Sequence, residues 1–413
     1  MAYGKTDKTG GEAGLDASAL QYSWTSCPKP TETTGQDSYN ASTDHMIQAI
    51  WTAGEGWQAP QLVPYADLAL APTTSVLHYA TSCFEGLKLY RGDDGRLRLL
   101  RPEYNCERMA KSAAALALPT FDPAELLALI VRLCAVEAPK WLPRTEPRSC
   151  LYVRPLLMGC DASIGVRLPR SAMLCIMMIA WRAGPARAVT AGQRTPVGSR
   201  LLASDPNRGV RAFPGGTGAA KVGANYAPTL VQQRRALEAG YDQVLWLFGL
   251  DGQVTEASGA NVFFILTTAS SSPGDQAEME MVTPPLDDDG LILAGNTRAI
   301  VLELARSMFA TDRGNARRCK VSERRITSAE LVRAGAEGRL QGAFVTGTAW
   351  QIHPVAAIGG LVGVDGGGDL DVPVAKISYV EILQSRLDAI VYGREEAGHF
   401  IKVVEEDNGV GAV

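Results

Sequence analysis

The chain has 413 residues, a formal net charge of -4 and 46% hydrophobic residues, the balance of an ordinary globular enzyme with room for two domains. Mild acidity with no basic stripe excludes nucleic acid and anionic membrane as expected partners. The longest apolar stretches, such as Met173–Trp181, fall far short of the roughly 20 residues that span a bilayer.

The N-terminal residues carry Asp7, Glu12 and Asp16, no arginine and no apolar core. Neither a secretory signal nor a transit peptide is therefore expected, and the expected location is cytoplasmic. The eight cysteines are scattered with no Cys-x-x-Cys pair, which points to free thiols. Four histidines, at 45, 78, 353 and 399, show no metal-ligand spacing, so no metal is expected. Asn40-Ala41-Ser42 is a glycosylation sequon that a cytoplasmic protein leaves unused.

In chain order, residues 1–45 form a polar, loosely held arm. Leu87–Tyr90, a turn at Arg91–Gly95 and Leu97–Leu100 read as a hairpin, so Arg91-Gly92-Asp93 turns the chain rather than serving adhesion. Asp122-Pro123-Ala124-Glu125 opens a helix, with Asp122 as N-cap and Phe121 and Leu126 as a hydrophobic staple; it runs to about Glu137, before Pro139. Cys150–Met158 and Ala172–Ala180 read as buried strands. Residues 182–199, rich in Gly, Arg, Thr and Pro, read as a connection between a domain at 46–181 and another at 200–413. In the second domain a helix from about Pro228 to Glu238 ends at Gly240, followed by strands at Gln243–Phe248, up to Glu256, and at Val262–Leu266. A surface loop spans 267–280. Helices start near Asn296-Thr297 and at Thr327, where Glu330 completes a capping box, and a strand at Ala343–Thr346 runs into Gly347-Thr348-Ala349. The pattern is that of two α/β domains.

The run Gly215-Gly216-Thr217-Gly218-Ala219-Ala220-Lys221 has Ala220 and Val222 beside its lysine, where a nucleotide phosphate loop needs Gly and Ser or Thr. Small neighbours let bulky groups approach, and a partly desolvated lysine loses its proton readily and can form a Schiff base. An exposed surface lysine is the plain alternative. Glu256, ending a short strand, is either a solvated turn residue or an acceptor for a protonated pyridine nitrogen. Asn296-Thr297 and Gly347-Thr348 can offer backbone N–H groups to a phosphate, though such pairs also serve as simple caps.

Several longer motifs resemble the branched-chain aminotransferases, vitamin B6 enzymes of fold type IV, with eukaryotic members nearest. They are Phe84-Glu85-Gly86-Leu87-Lys88-Leu89-Tyr90-Arg91-Gly92, Asn105-Cys106-Glu107-Arg108, Leu151-Tyr152-Val153-Arg154-Pro155, Ala220-Lys221-Val222-Gly223-Ala224-Asn225-Tyr226, Thr255-Glu256-Ala257, Gly295-Asn296-Thr297-Arg298 and Gly347-Thr348-Ala349. The resemblance covers roughly residues 60 to 395 and implies a smaller N-terminal α/β domain, a larger C-terminal one, and pyridoxal 5'-phosphate in the cleft between them. It implies that Lys221 carries the cofactor and shuttles a proton, that Glu256 pairs with the pyridine nitrogen, and that Tyr226 bonds the ring oxygen. Arg108, Thr297, Asn296 and Thr348 then serve the phosphate. Tyr79, Phe84, Tyr152, Arg154, Gly259 and Ala349 surround the substrate. The implied reaction is reversible transamination between a branched-chain amino acid and 2-oxoglutarate. The implied assembly is a homodimer in which a loop near Ile164-Gly165-Val166 roofs the partner's site.

The sequence departs from the family pattern in three places, covering four positions. Trp350 and His353 stand where mammalian members have a redox-sensing cysteine pair. Gly259 stands where a pocket threonine is usual, and Asn296 replaces an apolar residue at a helix start. One methylene in an apolar pocket is worth about 1–3 kcal/mol of discrimination, so a specialised enzyme of secondary metabolism acting on a non-standard amino or keto acid is the alternative. D-amino acid aminotransferase, aminodeoxychorismate lyase and a non-catalytic homologue are weaker readings, since Lys221, Glu256, Tyr226 and Arg108 are all retained.

Overall fold

Strands Cys150–Gly159 and Ser171–Ala180 run antiparallel along their full length, with Leu151 opposite Ala180 and Gly159 opposite Ala172. In Cys150–Gly159 buried residues alternate with partly exposed ones, the period that puts successive side chains on opposite faces of a sheet. The computed structural model describes residues 12–31, 41–180, 198–268, 278–287, 289–311, 318–364, 368–373, 378–396 and 398–407. These fall into two compact units, Met1–Arg182 with Lys402–Val413, and Ala183–Ile401. Both combine a mixed sheet with helices, the α/β architecture expected.

The first unit holds a ten-stranded sheet. Among the described residues its order is Gln21–Tyr22, Gln61–Pro64, His45–Thr52, Ser171–Ala180, Cys150–Gly159, Leu87–Arg91, Leu97–Leu100, Ile401–Val404, with Gly56–Trp57 beside His45–Thr52 and Ser82–Phe84 beside Cys150–Gly159. Helix Pro123–Trp141 packs on it through Leu126, Leu129, Ile130, Leu133 and Cys134, all fully buried at helical spacing. Each such side chain contributes about 1.5–3 kcal/mol by leaving water. Asp122 caps the helix by accepting the Ala124 N–H, and the N1 proline sits where no N–H is needed.

The helix does not stop before Pro139 but continues to Trp141. Proline removes the N–H that would serve the carbonyl of Ala135. That carbonyl accepts the Asp407 N–H instead, at 3.1 Å, so a residue from the far end of the chain repairs the ladder. The strand Ile401–Val404 likewise joins the first unit's sheet, whereas the sequence pattern assigns all of 200–413 to the second domain.

The arm is fastened where it is described. Gln21–Tyr22 pairs with Gln61–Leu62, and the Thr25 N–H donates to Nε2 of His45, whose Nδ1 lies 2.6 Å from Glu137. The predicted hairpin forms, pairing Leu89 with Leu99 and Arg91 with Leu97. Arg91 is fully buried and ion-paired to Glu406 at 2.6 Å, so the Arg-Gly-Asp tripeptide is structural.

The second unit's sheet has nine strands in the order Gln253–Ala257, Gln243–Phe248, Ser199–Ala203, Gln351–Gly359, Leu340–Gly347, Asn261–Thr267, Met279–Thr283, Cys319–Glu323, with Leu370–Asp371 at the side. Its core includes Leu201, Leu245, Val262, Phe264, Ile326, Ala343 and Ile358. Helix Leu230–Glu238 follows a 3-10 turn at Ala227–Thr229 and ends at Gly240, whose φ of 83° lies in the left-handed region. Thr327 caps helix Ser328–Ala336 by accepting the Glu330 N–H at 3.2 Å. Most of the expected connection at 182–199 and the middle of the expected loop at 267–280 lie outside the described residues; the loop's end is strand, beginning at Met279.

Candidate active site

In the second unit, Lys221 follows the Gly-rich run and is half-buried, its Nζ donating to the Tyr226 hydroxyl at 3.0 Å. The loop leading to it is tightly packed at Gly218. A Cβ on Gly218 would lie 2.4 Å from the Ala212 Cβ and 2.6 Å from the Gly290 carbonyl oxygen. Asn225 ties the same loop by donating to the carbonyls of Thr217 and Ala220, at 2.8 and 2.9 Å.

Glu256 lies on strand Gln253–Ala257 and is 2% exposed. One carboxylate oxygen accepts the Leu293 N–H and a longer bond of 3.5 Å from Asn261 Nδ2. The other faces Nε of Arg211 at 2.9 Å, with that side chain 6% exposed. The burial of this glutamate excludes the solvated-turn alternative. Arg211 and Asn261 are site residues that sequence motifs did not single out; an arginine shortly before the Gly run and an asparagine opening an apolar strand were the available signals.

The turn after Glu256 closes with reciprocal bonds between Ala257 and Ala260. Ser258 takes a left-handed φ of 46°, and its hydroxyl accepts the Val244 N–H and donates to Gln233. At Gly259 an added Cβ would meet nothing within 4 Å. The register Asn261 opposite Thr346 brings the Gly347-Thr348-Ala349 turn alongside this one, and a Cβ on Gly347 would stand 3.7 Å from the Ala260 Cβ. Asn296 and Thr297, both buried, open helix Asn296–Met308, whose N-cap Gly295 brings no capping side chain. Its N-terminal N–H groups and dipole suit an anion.

In the first unit, Arg108 on helix Pro102–Ala115 grips Glu85 with Nε and Nη2, at 2.7 and 2.8 Å. Asn105, one turn earlier, donates to the same carboxylate at 2.7 Å. Glu85, 1% exposed, is thus the orienting partner of Arg108, a role sequence reasoning did not assign. Phe84, Tyr152 and Arg154 come together. The Arg154 guanidinium stands 4.7 Å over Phe84 and 5.0 Å over Tyr152, and its Nη2 donates to the Tyr152 hydroxyl at 2.9 Å. The Tyr79 hydroxyl accepts the Gly165 N–H at 2.8 Å. A Cβ on Gly86 would sit 2.0 Å from the Tyr152 hydroxyl, so a larger residue there must push that ring aside. Lys88, opposite Tyr152, is buried, and that burial pushes its amine below the ordinary lysine range against the pull of Cys150.

These groups fit a phosphorylated pyridine aldehyde: an amine for the carbonyl, a phenol for the ring oxygen, a buried carboxylate for the ring nitrogen, and a helix N-terminus for the phosphate. Among the described residues no cluster of His, Cys, Asp or Glu could hold a metal ion, and no helix is long and apolar enough to cross a membrane.

Known proteins agree. The family model for class IV amino-transferases matches residues 82–358. A branched-chain-amino-acid aminotransferase of Monosiga brevicollis is 40% identical over 87% of this chain and 85% of its own length. A cytosolic one of Saccharomyces cerevisiae is 37% identical over 96% of this chain and 99% of its own. Among solved structures, the Escherichia coli branched-chain amino acid aminotransferase shares the fold, with TM-score 0.61 at 22% identity over 86% of this chain and 98% of that one. The Thermobaculum terrenum enzyme in its PLP form shares it too, with TM-score 0.63 at 20% identity over 89% of this chain and 99% of that one. A lysine paired to a tyrosine, a buried carboxylate and an open helix start, set in this fold and this ancestry, make the chain a pyridoxal-phosphate-dependent transaminase belonging to the branched-chain aminotransferases of class IV.

Proposed function

We propose that the enzyme transfers the amino group reversibly between leucine, isoleucine or valine and 2-oxoglutarate, giving branched-chain 2-oxo acids and glutamate. The carrying observation is the Lys221 amine, 3.0 Å from the Tyr226 hydroxyl in the same unit as the buried Glu256. The 40% identity to an enzyme of that name supports the choice of substrate.

Lys221, Tyr226, Glu256, Asn296, Thr297 and Thr348 would hold pyridoxal phosphate, with Arg108 as a further phosphate ligand. When bound, the cofactor supplies the electron sink that stabilises charge at the substrate Cα. Lys221 Nζ would remove a proton from Cα of the amino acid in one half-reaction and deliver one to Cα of the product amino acid in the other. Tyr226, within hydrogen-bond reach, keeps that amine in place. Phe84, Tyr79 and Tyr152 would favour a branched apolar side chain, the Thr348–Ala349 backbone would receive the substrate carboxylate, Gly259 would leave room beside the substrate, and Arg154 would supply a cation for glutamate's second carboxylate.

The test is glutamate formation from 2-oxoglutarate with leucine, isoleucine, valine, phenylalanine and a panel of unusual amino acids. Comparable rates with the first three support the proposal. Weak activity on those and strong activity on another substrate would replace it with a specialised aminotransferase, the second reading. The open space at Gly259 favours that reading.

The assembly we propose is a homodimer. Leu77, Ile164, Val166 and Leu168 expose apolar surface on the first unit that a second copy would cover. Light scattering on the purified protein gives its mass. A cytoplasmic location is proposed with the yeast cytosolic enzyme as support, and cell fractionation tests it.

A further inference from the structure

We propose that Arg211 is a positioning residue for the reaction: it holds Glu256 as an anion and locks that carboxylate to the loop carrying Lys221. The proposal rests on the reading of Glu256 as partner of the cofactor's ring nitrogen.

A carboxylate as buried as Glu256 stays charged through the donors and cations beside it. Neutral donors, the Leu293 N–H and the Asn261 amide, serve its Oε1. The cation is Arg211, with Nε 2.9 Å from Oε2 and a side chain 6% exposed. A proton shared between Glu256 and a basic ring nitrogen has two resting places. On the carboxyl it lies beside the guanidinium; on the ring it lies farther off. Like charges separate, so Arg211 biases the proton toward the ring, the form that draws electrons from the substrate.

The opposite edge of the guanidinium has a second task. Nη1 and Nη2 both donate to the Gly218 carbonyl at 3.3 Å, and Nη1 donates to the Leu291 carbonyl at 3.1 Å. Gly218 belongs to the packed run before Lys221, and Leu291 to the segment whose Leu293 N–H binds Glu256. One side chain therefore ties the lysine's loop, the carboxylate and the 291–293 segment together. A planar five-donor fork can do this; a lysine ammonium keeps the charge but not the fork.

The experiment compares holoenzymes of wild type, Arg211→Met, Arg211→Lys and Glu256→Gln. It reads the pH titration of the bound cofactor's visible absorbance, the cofactor dissociation constant on reconstitution, and kcat and KM for leucine. Arg211→Met should shift the absorbance midpoint, weaken cofactor binding and lower kcat roughly 10- to 100-fold with less change in KM. That is the scale on which supporting partners of metal ligands act. Arg211→Lys should restore the titration in part. A methionine variant with wild-type titration and kcat, whatever its stability, would reduce Arg211 to a structural ion pair and overturn the proposal. Should that variant fail to fold, Arg211→Lys and Arg211→Gln decide. A lysine titration nearer to wild type than the glutamine one supports the proposal, and identical titrations overturn it. An unperturbed Glu256→Gln spectrum would instead remove the underlying reading of Glu256.

Discussion

Each unit contains a buried arginine–glutamate pair, and the two are built differently. In the first, Arg108 and Glu85 meet as fork on fork, at 2.7 and 2.8 Å, with Asn105 added to the carboxylate. In the second, Arg211 gives Glu256 one edge and two backbone carbonyls the other. The bidentate pair fixes a cation's plane, which suits an arginine proposed to meet a phosphate. The one-edged pair spreads its arginine over a carboxylate and two carbonyls, which suits a cation that ties segments together. So the same two residue types are arranged with the arginine gripped by its partner in one unit and the glutamate held by several donors in the other.

The largest effect lies outside both pairs. Lys221→Ala should lower the rate of glutamate formation on the order of 10⁴-fold or more, the scale of removing a central catalytic group, and abolish the lysine-bound yellow colour. Normal turnover would remove the lysine assignment and with it the functional half of the comparison. Next, Glu85→Ala strands a buried guanidinium and should destabilise the first unit by about 3–5 kcal/mol in urea unfolding. A loss below about 1 kcal/mol, the range of surface pairs, would mean that Arg108 does not depend on Glu85.

Gly86→Ala tests the aromatic neighbour of that pair. Its Cβ, 2.0 Å from the Tyr152 hydroxyl, must displace the ring, at about 1–3 kcal/mol of overpacking, and KM for amino acids should rise. Unchanged KM would separate Tyr152 from substrate binding. On the other unit, Gly259→Thr fills open space and should change the preference between leucine and bulkier amino acids by about 1–3 kcal/mol in kcat/KM; a constant ratio across substrates would make Gly259 irrelevant to selection.

The smallest effect belongs to a pair whose carboxylate is exposed. Arg98, hydrogen-bonded to Asp94, holds that carboxyl well below its ordinary range, at about 2, against the opposing effect of burial. A depressed carboxylate gives stability above its unfolded pKa and loses it as pH falls through the folded one. Asp94→Asn should therefore lower stability slightly at neutral pH and flatten its decline between about pH 4 and pH 2, where variant and wild type converge. Unfolding midpoints across that interval measure it.

The sequence carried the local features well. Asp122 and Thr327 as caps, Gly240 as helix terminator and the Leu87–Leu100 hairpin all follow from short-range chemistry, and the structure contains them. What stayed hidden was long-range. No local pattern places the Ile401–Val404 strand beside Leu97–Leu100, or offers Asp407 to the carbonyl that Pro139 orphans. Among the candidate site residues, motifs pointed to Lys221 and Glu256, because an amine after glycines and a carboxylate at a strand end are conspicuous. Arg211 and Glu85 were silent, because their partners lie in distant segments and a lone charged residue looks like surface.

The late strand also sets a timetable for synthesis. Ribosomes deliver chains from the N-terminus, and early domains usually fold while later ones are still being made. Here the first unit's sheet lacks its Ile401–Val404 edge, and buried Arg91 lacks Glu406, until the whole second unit has emerged. Its nascent form must wait with an open sheet edge and an unmatched cation, and that interval is when a chaperone would have most to hold.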